Sequence, residues 1–205
     1  MSAGKRPQGT DSPPRVGTVQ RRTDETDVSI TLGLDGAGDV QVTTGVPFFD
    51  HMLHQLGHHG RFDLEVRARG DLAVDPHHTV EDVGIALGQA LRAAVGEGRG
   101  IARFASLHVP MDEALVLAAV DVSGRAYLHY ALSPAPAVLG GFATDLGAEF
   151  FRALVTHGGL TLHLVQVHGA SAHHLLEAAF KGTGIVLHQA TRVVGEAVPS
   201  TKGIL

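Results

Sequence analysis

Apolar side chains fall at every second position in two stretches of the chain, residues 28–34 and 62–69. A period of two is typical of a strand with one buried face and one solvated face, so both stretches are predicted to be half-buried β-strands. The Asp35-Gly36 pair after the first stretch is a turn signal, and residues 40–43 are expected to return as a second strand.

Two other stretches have a helical period. Residues 46–60, with Pro47 near their start, predict a short helix, and residues 79–95 place apolar side chains three and four positions apart. Glycines at positions 96, 98 and 100 predict the end of this second helix.

A similar order of elements follows. Residues 113–122 and 125–132 predict an apolar hairpin around Ser123-Gly124. Beyond the hairpin the pattern predicts a helix over 145–157, a strand over 160–167 and a helix over 173–194.

Two pairs of short motifs indicate that the order repeats because the chain is duplicated. His59-Gly60 and His157-Gly158 each precede a predicted strand, and they are 98 positions apart. The motif HHxxE occurs at 77–81 and again at 173–177, 96 positions apart and each time at a helix start. Offsets that agree this closely favour a tandem duplication. The predicted fold class is therefore α+β, with the helices of each half on one face of a sheet.

The duplication suggests the domain organisation. Residues 1–14 mix glycine, proline and charge and predict a disordered tail. The half-domains are expected at 15–100 and 101–198, and residues 199–205 are expected to form a C-terminal loop.

Composition excludes several classes of protein. The chain has 205 residues, 44% of them hydrophobic, and a net charge of −5. A negative net charge argues against general binding of nucleic acid, which requires a basic surface. The absence of cysteine excludes disulfide scaffolds and thiolate metal sites. Neither an apolar leader nor a membrane-spanning run of about 18 apolar residues is expected. These features predict a cytoplasmic protein without membrane or nucleic-acid partners.

Fourteen histidines are the unusual part of the composition, and the two HHxxE motifs hold four of them. On a helix the glutamate shares a face with either histidine, whereas adjacent histidines point about 100° apart. Two doublets that face each other would suit two ions better than one. Imidazole with carboxylate favours Mn, Fe, Zn or Ni over Ca or Mg.

The internal repeat adds two further candidate ligands, because His51 falls on Glu149 at the offset of 98. The first predicted metal site comprises His51, His77, Glu81 and His173. The second comprises Glu149, His78, His174 and Glu177. The His58-His59 doublet has no HHxxE counterpart and is left out of the metal set.

Basic residues in loops and beside glycine suggest a phosphate. Arginine and lysine pair with phosphate oxygens, and hydroxyl groups add neutral donors. The candidates for such a cradle are Arg103, Arg125, Lys181, Ser200, Thr201 and Lys202.

Six separated segments resemble the imidazoleglycerol-phosphate dehydratase family, and the likeness runs from about residue 15 to 205. The segments are RRTDET, FFDHMLHQLGHHGRFDL, HHTVEDVGIALGQAL, VPMDEAL, HHLLEAAFK and VPSTKGIL. The resemblance implies two halves of the ribosomal-protein-S5-domain-2-like type, two Mn²⁺ ions per chain and a homo-oligomeric particle of twenty-four subunits. It also implies dehydration of imidazole glycerol phosphate to imidazole acetol phosphate in histidine biosynthesis.

The resemblance assigns roles residue by residue. It implies the metal ligands His51, His77, His78, Glu81, His173, His174 and Glu177. It implies the substrate contacts Glu25, Arg103, Arg125, Lys181, Ser200 and Lys202, with Arg103, Arg125, Ser200 and Lys202 at the phosphate.

This chain departs from the family pattern at three places. Glu149 stands where many members have histidine, and it is expected to ligate a metal with more negative charge. Gly182 and Gly184 are expected to weaken the last helix. GASA replaces the usual glycine-lysine-asparagine approach to the second doublet.

The reaction requires removal of a weakly acidic carbon-bound proton. An imidazolate form of the substrate, bridging toward a metal, would act as an electron sink, and either Glu25 or Glu177 would take the proton. Two alternatives remain at this point: a two-metal hydrolase that uses the same donors, and a non-catalytic module in which metals only tie the halves together.

Overall fold

The computed structural model describes residues 14–205, so that all but the last residue of the predicted N-terminal tail lies outside the described part. The first half contains β1 (Val16–Arg22), β2 (Thr26–Gly33), β3 (Val40–Thr43), α1 (Pro47–Gly60), β4 (Asp63–Gly70) and α2 (His77–Val95). The second half contains β5 (Phe104–Met111), β6 (Ala114–Asp121), β7 (Tyr127–Ala131), a short β8 (Val138–Leu139) and β9 (Phe142–Ala143), α3 (Leu146–Gly158), β10 (Thr161–His168) and α4 (Ala172–Thr191).

The two halves share one topology. The first sheet has the strand order β1-β2-β4-β3, and the second has β5-β6-β10-β7, which is the same order applied to equivalent strands. Each sheet buries one face under helices, and apolar residues of both halves form a continuous core cluster. The predicted α+β duplication is confirmed by this repetition.

Two predicted strand pairings were wrong. Strands β2 and β3 were expected to pair across Asp35-Gly36, but β3 lies parallel to β4 and β2 pairs with β4 from the other side. The Asp63 carboxylate, at the start of β4, accepts hydrogen bonds from the backbone amides of Ala37 (2.9 Å) and Asp39 (3.1 Å). The connection between β2 and β3 therefore passes the start of β4 before β3 begins.

The predicted hairpin around Ser123-Gly124 was also wrong. Strand β7 pairs in parallel with β10, while β6 pairs with β5 and β10. Strands β1 and β5, which the apolar pattern did not predict, form one edge of each sheet. A strand pattern shows which face is buried but not which strand lies next to it.

The helices pack across the halves, α1 against α4 and α2 against α3. A side chain at Gly184 of α4 would put Cβ 2.2 Å from the carbonyl oxygen of Leu56, and one at Gly88 of α2 would put Cβ 2.6 Å from that of Leu154. Gly88 and Gly184 are 96 positions apart, and Leu56 and Leu154 are 98 apart. Equivalent glycines thus allow both helix pairs to approach closely.

The last helix continues through the two glycines that were expected to weaken it. Helix α4 is continuous from Ala172 to Thr191, three residues short of its predicted end, and its N-cap Ser171 accepts a hydrogen bond from the amide of His174. Gly184 serves the contact with α1, and a Cβ at Gly182 would lie 3.0 Å from Ala118 of β6. Close packing outweighs the low helix propensity of glycine here. No helix within residues 14–205 is both long and apolar enough to cross a membrane.

Candidate metal centre

Helices α1 and α4 bring three metal-competent side chains together. The Nε2 atoms of His51 and His173 lie 3.2 Å and 3.0 Å from the same oxygen, Oε2 of Glu177. The close approach at Gly184 makes α1 and α4 run side by side, so that the first turns of both helices meet at this point. Ligand atoms of these three residues all lie within 4.8 Å of one another.

Glu177 is the buried member of this group. Its side chain is 7% exposed, and Lys181 Nζ lies 2.7 Å from its Oε1. Burial alone would raise the pKa of Glu177, but hydrogen bonds from Lys181 and His51 outweigh it and hold the pKa below its ordinary value. The carboxylate is therefore ionised at neutral pH and carries negative charge to the two imidazoles.

The equivalent helix pair, α2 and α3, holds its candidates further apart. His77 Nε2 lies 3.9 Å from Glu81 Oε2, and Glu149 forms an ion pair with Arg152 one turn along α3. The hydrogen bond with Glu149 raises the pKa of Arg152, and the charge of Glu81 acts in the same direction. Among the described residues, neither group of three close metal donors includes His77, Glu81 or Glu149.

The second histidine of each doublet has a carboxylate partner. His78 Nδ1 lies 3.0 Å and 3.2 Å from the two carboxylate oxygens of Asp71, and Glu25 Oε2 lies 3.7 Å away. Glu25, Asp71 and His78 form the second group of close donors in the described chain. The hydrogen bond to Asp71 raises the pKa of His78.

His174 is held by a shorter contact. Its Nδ1 lies 2.6 Å from Glu113 Oε2, and Asp112 Oδ2 lies 3.7 Å from its Nε2. The hydrogen bond with Glu113 raises the pKa of His174, and the hydrogen bond from His174 is the main reason that the pKa of Glu113 falls to about 2. Sequence reasoning missed Asp71 and Glu113, because neither belongs to the HHxxE repeat.

The single chain does not group the eight candidate ligands as predicted. His51 was expected with His77, Glu81 and His173, whereas the structure places it with His173 and Glu177. Two imidazole nitrogens and a carboxylate oxygen are nevertheless a donor set that suits divalent transition metals. The residues present therefore fit the predicted kind of ion.

The predicted phosphate residues lie elsewhere. Arg103 holds Asp121 through contacts of 2.8 Å and 3.3 Å, and Arg125 lies 3.6 Å from the same carboxylate. Arg103 also donates to the carbonyl oxygen of Pro199 at 2.8 Å, which brings the C-terminal loop alongside. The backbone amide of Lys202 donates to the Ser200 hydroxyl at 3.2 Å.

Two candidates for the phosphate cradle remain, Thr201 and Lys181. The side chain of Thr201 is exposed at the tip of the C-terminal loop, and Lys181 is engaged by Glu177 beside the metal donors. Lys181 therefore does not join the arginine cluster within one chain.

The metal donors and the arginine cluster occupy opposite ends of α4. The backbone amide of Arg103 donates to the carbonyl oxygen of Ala190, near the end of the helix, whereas His173 lies at its start. Seventeen residues of helix span about 25 Å. One chain therefore keeps the two parts of the predicted site apart.

Comparison with known proteins identifies the family. The imidazoleglycerol-phosphate dehydratase family model matches residues 44–187. The chain is 55% identical over 193 residues to the imidazoleglycerol-phosphate dehydratase of Thermus thermophilus, covering 93% of this chain and 100% of the relative. It is 53% identical over 194 residues to that of Dinoroseobacter shibae, with the same coverage of both chains.

Solved structures agree with the sequence comparisons. The crystal structure of the Pyrococcus furiosus enzyme in complex with (S)-C348 has a TM-score of 0.80 and 40% identity, covering 91% of this chain and 100% of that one. The Staphylococcus aureus enzyme has a TM-score of 0.78 and 35% identity, covering 85% and 97%. This chain, an enzyme with duplicated α+β halves, therefore belongs to the imidazoleglycerol-phosphate dehydratase family.

Proposed function

We propose that this enzyme removes water from imidazole glycerol phosphate to give imidazole acetol phosphate, a step of histidine biosynthesis in the cytoplasm, with two Mn²⁺ ions per chain. Family membership supports the reaction. The convergence of His51, His173 and Glu177 is the observation in the structure that supports a metal-dependent mechanism.

Eight side chains are proposed to hold the two ions: His51, His77, His78, Glu81, Glu149, His173, His174 and Glu177. When bound, the ions would supply Lewis acidity that stabilises the imidazolate form of the substrate. Other residues of the chain would bind the phosphate and transfer the protons.

Of the two candidate bases, the geometry favours Glu25. Glu177 is buried, accepts hydrogen bonds from His51 and Lys181 and has a lowered pKa, all of which make it a poor proton acceptor. The side chain of Glu25 is 55% exposed and lies beside His78 without such a set of donors. We therefore assign Glu25 to accept the proton from the carbon that keeps its hydroxyl group. The hydroxyl on the carbon attached to the imidazole would leave as water with the proton that the ring N–H gives up on forming the imidazolate, and the proton taken by Glu25 would return to the ring nitrogen of the enol product.

Arg103, Arg125, Ser200 and Lys202 are proposed to bind the substrate phosphate, with Thr201 in the same loop. Asp121 already holds both arginines at one place, and Pro199 brings the loop against Arg103. Lys181 would contact the substrate from the metal side, where it now pairs with Glu177.

The separation along α4 supports a homo-oligomer. The rise of about 25 Å along α4 from His173 to Ala190, which contacts the backbone of Arg103, is far longer than the three-carbon chain that joins the imidazole and phosphate of the substrate. A complete site therefore needs the metal donors of one copy and the arginine cluster of another. We propose that this requirement is met by the twenty-four-subunit assembly implied by the family resemblance.

The decisive experiment incubates the metal-loaded enzyme with imidazole glycerol phosphate and follows product enol formation in the ultraviolet. His77→Ala and His174→Ala should lose bound metal and activity together, whereas His54→Ala, an exposed histidine on α1, serves as the matched control. Arg103→Gln should weaken apparent substrate affinity about tenfold or more, since a charge-assisted pair contributes about 1.5–3 kcal/mol, and should leave metal content unchanged.

The outcomes separate the alternatives. Full activity of metal-free enzyme would overturn the metal mechanism. A two-metal hydrolase would release inorganic phosphate from the substrate instead of forming the enol, and a non-catalytic module would bind metal without turnover.

A further inference from the structure

The second histidines of the two doublets share an arrangement that the proposed ligand set leaves unexplained. His78 Nδ1 faces Asp71 at 3.0 Å, and His174 Nδ1 faces Glu113 at 2.6 Å. In both residues the Nδ1 atom is engaged by a carboxylate at hydrogen-bond distance, whereas the nearest carboxylate to Nε2 of His174, that of Asp112, lies 3.7 Å away. Nε2 is therefore the nitrogen left to bind another group.

We propose that Asp71 and Glu113 are positioning residues that fix His78 and His174 in the tautomer whose Nε2 can ligate a metal ion. This inference rests on the metal centre proposed above. An imidazole that donates its Nδ1–H to a carboxylate keeps the lone pair on Nε2, and the same hydrogen bond fixes the orientation of the ring.

The two halves use different positions for this task. Glu25 and Glu113 are equivalent, because each directly precedes the second strand of its half, β2 or β6. Asp71 directly follows β4, and the equivalent residue after β10 is Gly169. The first half therefore has two carboxylates near its histidine, and the second half has one at these positions.

The backbone explains why Gly169 cannot take the place of Asp71. Its φ is +112°, a conformation that side chains rarely adopt, and a Cβ there would lie 2.7 Å from Cα of Ala114. Glu113 must therefore hold His174 from the other side. In the first half Asp71 holds His78, which leaves Glu25 free to meet the substrate.

Glu113 has a second contact that the experiment must preserve. Its Oε1 accepts a hydrogen bond from the backbone amide of Ser171 at 3.1 Å, which ties down the N-cap of α4. Alanine at this position would lose both contacts. In Glu113→Gln the carbonyl oxygen still accepts from Ser171, while the amide group donates to Nδ1 of His174 and forces its proton onto Nε2. Asp71→Asn has the same effect on His78.

The test measures Mn²⁺ binding to the metal-free assembled enzyme by calorimetry, without substrate. Asp71→Asn and Glu113→Gln should each weaken binding about 10–100-fold, the usual effect of removing a carboxylate behind a ligating histidine. Glu25→Gln should bind Mn²⁺ like the wild type but turn over slowly. Glu97→Gln is the matched control, because Glu97 is exposed and pairs with Arg99, well away from both doublets in sequence.

A second readout separates positioning from structural damage. Excess Mn²⁺ should restore kcat in Asp71→Asn and Glu113→Gln but not in Glu25→Gln, and thermal unfolding of the metal-free proteins should be unchanged. Wild-type Mn²⁺ affinity in Glu113→Gln, or equal losses of affinity in Glu25→Gln and Asp71→Asn, would overturn the inference. Failure of the proposed function would show in the wild type itself, as absent Mn²⁺ binding or absent dehydration.

Discussion

The helix pairs α1–α4 and α2–α3 are equivalent under the duplication, because each joins one helix of each half. They nevertheless hold their metal-competent side chains in different ways. At α1–α4 the two imidazoles of His51 and His173 contact one buried carboxylate, Glu177. At α2–α3 the partly exposed carboxylates of Glu81 and Glu149 accompany a single histidine, and Arg152 pairs with Glu149.

Charge balance accounts for the difference. Replacing the equivalent of His51 by Glu149 puts two carboxylates beside one imidazole, and like charges disfavour close approach. Arg152 relieves this repulsion by pairing with Glu149. A duplicated backbone thus preserves the positions of the candidate ligands, whereas the individual side chains decide whether those candidates converge.

The first prediction tests whether only the α1–α4 group contributes to the stability of the metal-free protein. Glu177→Ala should lower the free energy of unfolding by about 1.5–3 kcal/mol, because charged hydrogen bonds to a buried group are lost. Glu81→Ala, at the equivalent but partly exposed position, should change it by less than about 0.5 kcal/mol. Urea unfolding of the metal-free variants measures both, and equal effects would contradict the comparison.

The second prediction concerns the glycines that let each helix pair close. Gly184→Ala and Gly88→Ala should each destabilise the protein by about 1–3 kcal/mol, since their Cβ atoms would lie 2.2 Å and 2.6 Å from opposing carbonyl oxygens. The shorter distance predicts the larger loss for Gly184→Ala. Gly195→Ala, with no atom within 4 Å of its Cβ, is the control. A gain of stability, as normally seen for alanine in a helix, would show that the helices can separate freely.

The third prediction concerns the residue that breaks the symmetry. Glu149→Ala should weaken binding of one of the two ions at least about tenfold, or about 1.4 kcal/mol, and leave the other ion bound. Glu149→His should retain both ions but shift preference toward softer metals, because a neutral imidazole replaces an anionic oxygen. Metal analysis after dialysis measures the stoichiometry. Unchanged binding in Glu149→Ala would show that Glu149 is not a ligand.

The smallest effect is expected at His188, whose counterpart in α2 is the permanently charged Arg92. Burial lowers the pKa of His188, and the charges of Arg61 and Arg192 lower it further. The unfolded chain therefore binds a proton more readily, so stability falls as pH drops below about 6.5 toward the folded-state pKa. His188→Gln should lose less stability than the wild type between pH 7 and pH 5. Urea unfolding of the wild type and of His188→Gln, each at pH 7 and at pH 5, measures the difference. An identical loss of stability in the two proteins would assign the acid sensitivity to other groups.

The sequence predicted the local elements well where a buried face imposed a period. Helix α3 and strand β10 lie within one residue of their predicted ranges, 145–157 and 160–167. Strands β1 and β5 were missed because, as edge strands, they are mostly exposed and show no strong alternation. The predicted pairing partners of β3 and β7 were wrong because the alternation of apolar and polar residues carries no information about the neighbouring strand.

The residues of the candidate site were likewise predicted where a local motif recurs and missed where only distant contacts bring them together. The HHxxE repeat alone identified the two histidine doublets, and the offset of 98 led to His51 and Glu149. The sequence could not show that His51 meets Glu177, since the two are 126 positions apart and their contact depends on the close packing of α1 on α4. Asp71 and Glu113 were not found, because neither belongs to the HHxxE repeat and the family resemblance, although it includes the VPMDEAL segment with Glu113, assigned neither residue a role.

The sequence by itself determined the duplication, the fold class and the identity of most chemically competent side chains, because these are repeated locally in patterns of a few residues. Only the tertiary structure decided which donors converge, which carboxylate holds which histidine, and how far the arginine cluster lies from the metal donors. Those outcomes depend on contacts between residues distant in the chain. Gly184 permits one such contact, and the backbone at Gly169 rules out another.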